Sequence, residues 1–233
     1  MANIIENKCP KCFVNKAFCF CHHIKKVDLQ TKLSLVVHTR ELLLSSNTAR
    51  LAHRSLPNSD FFVYGSEYTK IDEKALVPEE YENLVLFPYE DAITLDSDYL
   101  STIERPINLI VPDSNWRGAR KIKRRVGVLR DLKCVKIDTQ SRSRYFLRKA
   151  PIENGLCTFE AIIEALKIIE HKKDLSDLWS NLDHLISRVL YLRIGSPLAK
   201  EKFEIHQKIS RASEALVPTT KFTTGRNTTH SNQ

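Results

Sequence analysis

Short apolar runs recur along the chain: LSLVVH at 33–38, FFVY at 61–64, LVLF at 84–87, INLIV at 107–111 and CVKI at 134–137. Each has the length of a buried strand and is apolar nearly throughout, not alternating. Between the first two runs, NTARLAHRSL at 47–56 reads as a helix. In TFEAIIEALKIIEHKK, Ile162, Ala165, Leu166 and Ile169 share one face, with Thr158 as the expected N-cap. The stretch DLSDLWSNLDHLISRVLYLRIGSP runs from an Asp174 cap to Gly195 and Pro197 as stop signals. Buried strands alternating with helices predict an α/β fold with a largely parallel sheet and flanking helices.

From about Thr219 the chain reads TTKFTTGRNTTHSNQ, polar and almost free of apolar anchors, which predicts a disordered tail. The expected division is a four-cysteine head over 1–30, an α/β domain over 31–196 and a C-terminal extension over 197–233. With 233 residues, 42% of them apolar, the chain can bury a real core. No window approaches the roughly 18 apolar residues of a membrane span, and MANIIENKCPKC lacks the apolar stretch of a secretory signal. A cytoplasmic protein with no membrane association is expected, and a monomer is the favoured oligomeric reading.

Charge sharpens this picture. Residues 117–149 hold thirteen Lys/Arg against Asp131 and Asp138, whereas residues 31–116 hold seven against fourteen Asp/Glu. A patch so concentrated suits a polyanion better than general solubility; the competing reading is a solvated face that binds nothing.

Four of the six cysteines form CPKCFVNKAFCFC, the spacing C-x2-C-x6-C-x-C. Two close pairs across a short loop suit four thiolates around one tetrahedral zinc, so Cys9, Cys12, Cys19 and Cys21 are the expected ligands, with His22 and His23 as possible replacements. All four positions filled leaves no open site, so the metal is expected to be structural. Cys134 and Cys157, isolated in apolar settings, read as small core residues.

The sharpest single position is Asp113, between the INLIV run and a segment carrying Arg117, Arg120, Lys121, Lys123, Arg124 and Arg125. Ligands of open α/β sheets bind beyond the carboxyl ends of strands, where this residue falls. Asp113 or Ser114 would also serve as cap for a helix starting near Trp116, and a helix N-terminus favours an ionised carboxylate. Trp116 reads either as a platform for a base or as packing against the sheet. Gly118 and Gly127 weaken that helix by roughly 1 kcal/mol each.

The D-S-N-W of residues 113–116 followed by Ala119, the cysteine head, Asn47-Thr48-Ala49, LFPYEDA at 86–92, and YFLRKAP followed by LCTFEA together resemble the DTW-domain family of tRNA-uridine aminocarboxypropyltransferases. The resemblance runs in order from residue 9 to about 195. It implies a SPOUT-like, knotted backbone. It also implies S-adenosylmethionine as co-substrate, its 3-amino-3-carboxypropyl group passing to ring nitrogen 3 of a tRNA uridine and leaving 5′-methylthioadenosine. Asp113 matches the proposed general base. The donor would lie against Phe87, Pro88, Pro112, Asp113, Trp116, Leu156 and Thr158, while Arg117, Lys121, Arg124, Arg125 and Arg148 would meet tRNA.

Two positions depart from the family pattern. Asn115 replaces the threonine of D-x-T-W, and Tyr89 stands where many relatives carry glycine. The alternatives are a SPOUT-type RNA methyltransferase and a zinc-stabilised tRNA-binding protein without catalysis.

Overall fold

The computed structural model describes residues 6–138, 142–147, 155–195, 201 and 204. Its centre is a six-stranded sheet, β1 (Lys32–His38), β2 (Ser59–Tyr64), β3 (Glu82–Leu86), β4 (Ile93–Thr94), β5 (Ile107–Asp113) and β6 (Cys134–Lys136), in the order β2-β1-β5-β3-β6-β4. Every pairing is parallel. Its helices include α1 (Thr48–Ser55), α2 (Glu73–Leu76), α3 (Ser97–Leu100), α4 (Trp116–Arg125), α5 (Thr158–Ile169) and α6 (Ser176–Ile194).

The two sheet faces divide the strand residues with period two. Leu33, Leu35 and Val37 of β1, with Leu84, Leu109 and Val111, join the core beneath α1, α5 and α6. Val36, Val85 and Ile110 face the other way, onto Ala119 and Ile122 of α4 and Leu76 of α2. Every residue of β5 is buried, the pattern expected of a central parallel strand covered on both sides. Its one mid-strand polar side chain, Asn108, is fully satisfied: Ser34 Oγ donates to its Oδ1 at 2.8 Å, and its Nδ2 donates to Leu76 O at 2.9 Å and to Asn83 Oδ1 at 2.7 Å. A one-residue slip of β1, β5 or β3 would strand those polar atoms in the core, so the bonds help to fix register.

The cysteine head packs into the larger core through Val14 and Phe20, both buried. The short edge strand β4 lies outside the apolar runs of the sequence. Cap assignments also differ from expectation. Cys157, not Thr158, is the N-cap of α5, with Glu160 closing a capping box. Asn115, not Asp113 or Ser114, caps α4, its Oδ1 accepting from Gly118 N at 2.8 Å. Gly127 opens a 3-10 turn beyond the end of α4 and does not weaken it. The segment 197–233, apart from residues 201 and 204, lies outside the described residues, as does Arg148.

Candidate functional site

Asp113 ends the central strand at the carboxyl edge of the sheet and is only 5% exposed. Burial of a carboxylate demands donors, and two elements supply them. Asn47 caps α1 by accepting from Arg50 N at 2.7 Å, which turns its amide nitrogen outward to donate to Asp113 Oδ2 at 2.8 Å. Thr158, freed from capping by Cys157, donates its hydroxyl to Asp113 Oδ1 at 2.5 Å. Both contacts hold the carboxylate in one orientation.

A second carboxylate organises the surroundings. Glu160 is fully buried at the start of α5, and four donors converge on it: Ser143 Oγ at 2.7 Å and Cys157 N at 2.8 Å on Oε2, Arg144 N at 2.5 Å and Tyr145 N at 3.1 Å on Oε1. This clamp draws segment 142–147 against α5. From there Tyr145 donates its hydroxyl to Ser46 O at 2.5 Å, next to Asn47. Burial and the neighbouring Glu160 push the Cys157 thiol well above the ordinary range.

The loop after β3 supplies one wall. Phe87 is buried, its ring 5.5 Å from that of half-buried Trp116 and 4.7 Å from that of Tyr89. Trp116 thus packs against a neighbouring loop. The Tyr89 phenol donates to Arg120 O at 2.8 Å, and burial pushes its pKa up to about 12, so it stays protonated as that donor. Asn115 replaces the expected threonine without loss of the cap, and Gly118 is required behind it. A Cβ at Gly118 would stand 2.2 Å from Ser114 Oγ and 2.8 Å from its Cβ.

Beside this wall lies a cleft of about 490 Å³ lined by Tyr89 and Asp91 together with Arg117, Arg120, Lys121, Lys123, Arg124 and Arg130. Helix α4 turns Ala119 and Ile122 inward, so its remaining positions are free to carry charge. Of the expected tRNA contacts, Arg117, Lys121 and Arg124 line the cleft, while Arg125 is exposed outside its lining. Arg120 and Lys123 of the same basic segment line it as well, whereas Arg130 was not singled out as a contact from the sequence. Arg130 falls after the helix, on a turn that spacing along α4 could not connect to it.

Of the donor-site positions, Phe87, Pro112, Asp113, Trp116 and Thr158 gather at the carboxyl ends of β3 and β5 and the start of α5. Pro88 is exposed on the rim and Leu156 is half-buried just before Cys157. Sequence reasoning missed Glu160 and Tyr145. The readable signal was a glutamate three residues after Cys157, on a side of the helix otherwise given to Phe159, Ile162 and Ile163.

The sulfurs of Cys9, Cys12, Cys19 and Cys21 lie within 4.8 Å of one another, and no histidine belongs to this group. The separations Cys9–Cys21 3.8 Å, Cys12–Cys19 3.9 Å and Cys9–Cys19 3.4 Å sit near the roughly 3.8 Å edge of a tetrahedron built with Zn–S bonds of about 2.3 Å. Cys9 is held at about 6: burial opposes ionisation, but the amides of Cys12 and Lys11 outweigh it. Cys12 and Cys21 are pushed up, by burial first and then by neighbouring sulfurs. Four thiolates brought this close repel one another, and a bound cation would offset that repulsion. His22 and His23 are exposed, their rings 4.0 Å apart, with His23 stacked on His184 at 5.3 Å.

Comparison with known proteins adds a family. The family model described as "DTW domain" matches residues 6–190. Proteins named tRNA-uridine aminocarboxypropyltransferase 2 from Mus musculus and Macaca fascicularis are each 26% identical over 168 residues, 70% of this chain and 56% of their own length. The protein of that name from Drosophila melanogaster is 25% identical over 176 residues, 73% of this chain and 69% of its own. The chain therefore spans little more than half of the first two relatives. No solved structure matches.

Proposed function

The chain belongs to the DTW domain family, and on that premise we propose that it transfers the 3-amino-3-carboxypropyl group of S-adenosylmethionine to N3 of a tRNA uridine, releasing 5′-methylthioadenosine. The observation that carries this reading is Asp113: a buried carboxylate at the end of the central strand, oriented by Asn47 and Thr158, on the strand that leads directly into the helix whose cations line the cleft. The co-substrate supplies a sulfonium whose thioether leaves as the new bond forms. Asp113 accepts the N3 proton, making the uracil nitrogen a competent nucleophile for the carbon bonded to that sulfonium. Arg117, Lys121, Arg124 and Arg130 hold backbone phosphates, which adds affinity with little sequence choice.

The remainder of the reading follows the same premise. Cys9, Cys12, Cys19 and Cys21 hold a structural zinc; the backbone is of the knotted SPOUT type; the donor rests against the Phe87, Trp116 and Thr158 loops. Among the described residues no helix is long and apolar enough to cross a membrane, and we place the protein in the cytoplasm as a monomer.

The test is to incubate the chain with S-adenosylmethionine and unmodified total tRNA, digest the RNA and weigh the nucleosides, with Asp113→Asn alongside. A uridine heavier by one aminocarboxypropyl group, with 5′-methylthioadenosine as by-product and a loss of about 10²–10⁴-fold in Asp113→Asn, is the expected result. Methylated nucleosides with S-adenosylhomocysteine would replace this reading by a methyltransferase. Binding without any product would replace it by a tRNA-binding role.

A further inference from the structure

Among the described residues, Arg50 Nη1 and Arg54 Nε are buried without a hydrogen-bond partner, and they stand four residues apart on the same face of α1. Arg50 reaches the cysteine head, and Arg54 follows one turn on along that face. The Arg50 guanidinium lies 4.2 Å from the centre of the Phe13 ring, and Phe13 sits between Cys12 and Val14 with φ of 61°. Arg50 also donates through Nη2 to Leu42 O, next to Leu43 O, which takes the Lys8 ammonium at 2.9 Å. Electrostatically, Arg50 interacts with Cys12 and with Asp113, and Arg54 with Cys21.

A divalent cation held by four thiolates leaves two net negative charges, and sulfur accepts N–H donors. Two forked cations with spare buried N–H groups on the adjoining helix match that need in number, sign and hydrogen-bonding capacity. We infer that Arg50 and Arg54 donate to the thiolates of a divalent metal held by Cys9, Cys12, Cys19 and Cys21. The inference rests on the four-cysteine metal site proposed above.

The experiment is competition for Zn²⁺ between the full chain and a chromophoric chelator. Arg54→Met and Arg50→Met are expected to lose zinc at about 10–100-fold lower chelator concentration, with Arg54→Lys between them and the parent because it restores the charge without the fork. Arg105→Met, on an exposed side chain paired with Glu82, is the charge control and should retain zinc as the parent does. Release at parental chelator concentrations by Arg50→Met and Arg54→Met would overturn the donation to sulfur. A parent chain that takes up no zinc would overturn the metal site and this inference together, a result distinguishable from zinc uptake that the two variants leave unchanged.

Discussion

Thr158, the first residue of α5, donates its hydroxyl to Asp113, the last residue of β5, at 2.5 Å. The contact joins residues 45 positions apart and uses a side chain that capping would otherwise have claimed. Because Cys157 and Glu160 close the helix start between them, the threonine is released to face the sheet.

Replacing that hydroxyl by a methyl in Thr158→Val keeps the volume but removes the threonine's hydrogen bond to a buried carboxylate. A stability loss of about 1.5–3 kcal/mol at neutral pH is expected from urea denaturation, since the bond is to a charged group. Thr158→Ser should recover most of it.

Gly118→Ala sets two effects against each other. In an exposed helix position alanine gains roughly 1 kcal/mol over glycine. Here its Cβ meets Ser114 at 2.2 and 2.8 Å, so overpacking of about 1–3 kcal/mol decides the sign and the variant should unfold at a lower temperature than the parent. Ser114→Gly in the same chain should restore stability, because it removes both clashing atoms.

Glu82 provides a pH test remote from Asp113. Burial alone would raise its pKa, but hydrogen bonds from Arg105 at 2.6 Å and Lys133 at 3.3 Å outweigh that and lower it below its usual value of 4.5. A carboxylate lowered in the folded state contributes stability above its unfolded pKa, and that contribution fades as pH falls through the folded one. Melting temperature measured between pH 7 and 3 should therefore decline less steeply below pH 4.5 in Glu82→Gln than in the parent. Above pH 5.5 the offset between the two should be constant.

The cleft cations predict a salt signature. Arg117→Ala, Lys121→Ala, Arg124→Ala and Arg130→Ala should each weaken tRNA binding across unrelated sequences and lower the slope of log affinity against log salt by about 0.7–0.9. Arg125→Ala, exposed outside the cleft lining, should change the slope less than any of them.

The strands were legible because five apolar runs are unambiguous in length, and each became a strand of the parallel sheet. β4, only Ile93–Thr94, carries no periodic signal and is held by its pairing to β6. Cap positions were harder to read, since Asp113, Ser114 and Asn115 are all competent caps. The choice of Asn115 follows from Asp113 being committed to the strand and to its two donors. Asp113 and the cysteine cluster stood out from local pattern, whereas Glu160, Tyr145, Arg50 and Arg130 matter through partners distant in sequence, which no window contains.

The strand order has a consequence for biosynthesis. β1 and β3 are made first but are never neighbours; β5 must slide between them, pairing with both along most of its length. Until residue 113 has left the ribosome, two apolar strands present open edges that would pair readily with each other or with another chain. Asp113 itself arrives last on the strand that closes the gap. The span 87–113 is thus the stretch over which the speed of translation bears on how long those edges stay open. A synonymous pause placed there should lower the yield of folded protein without changing a single side chain.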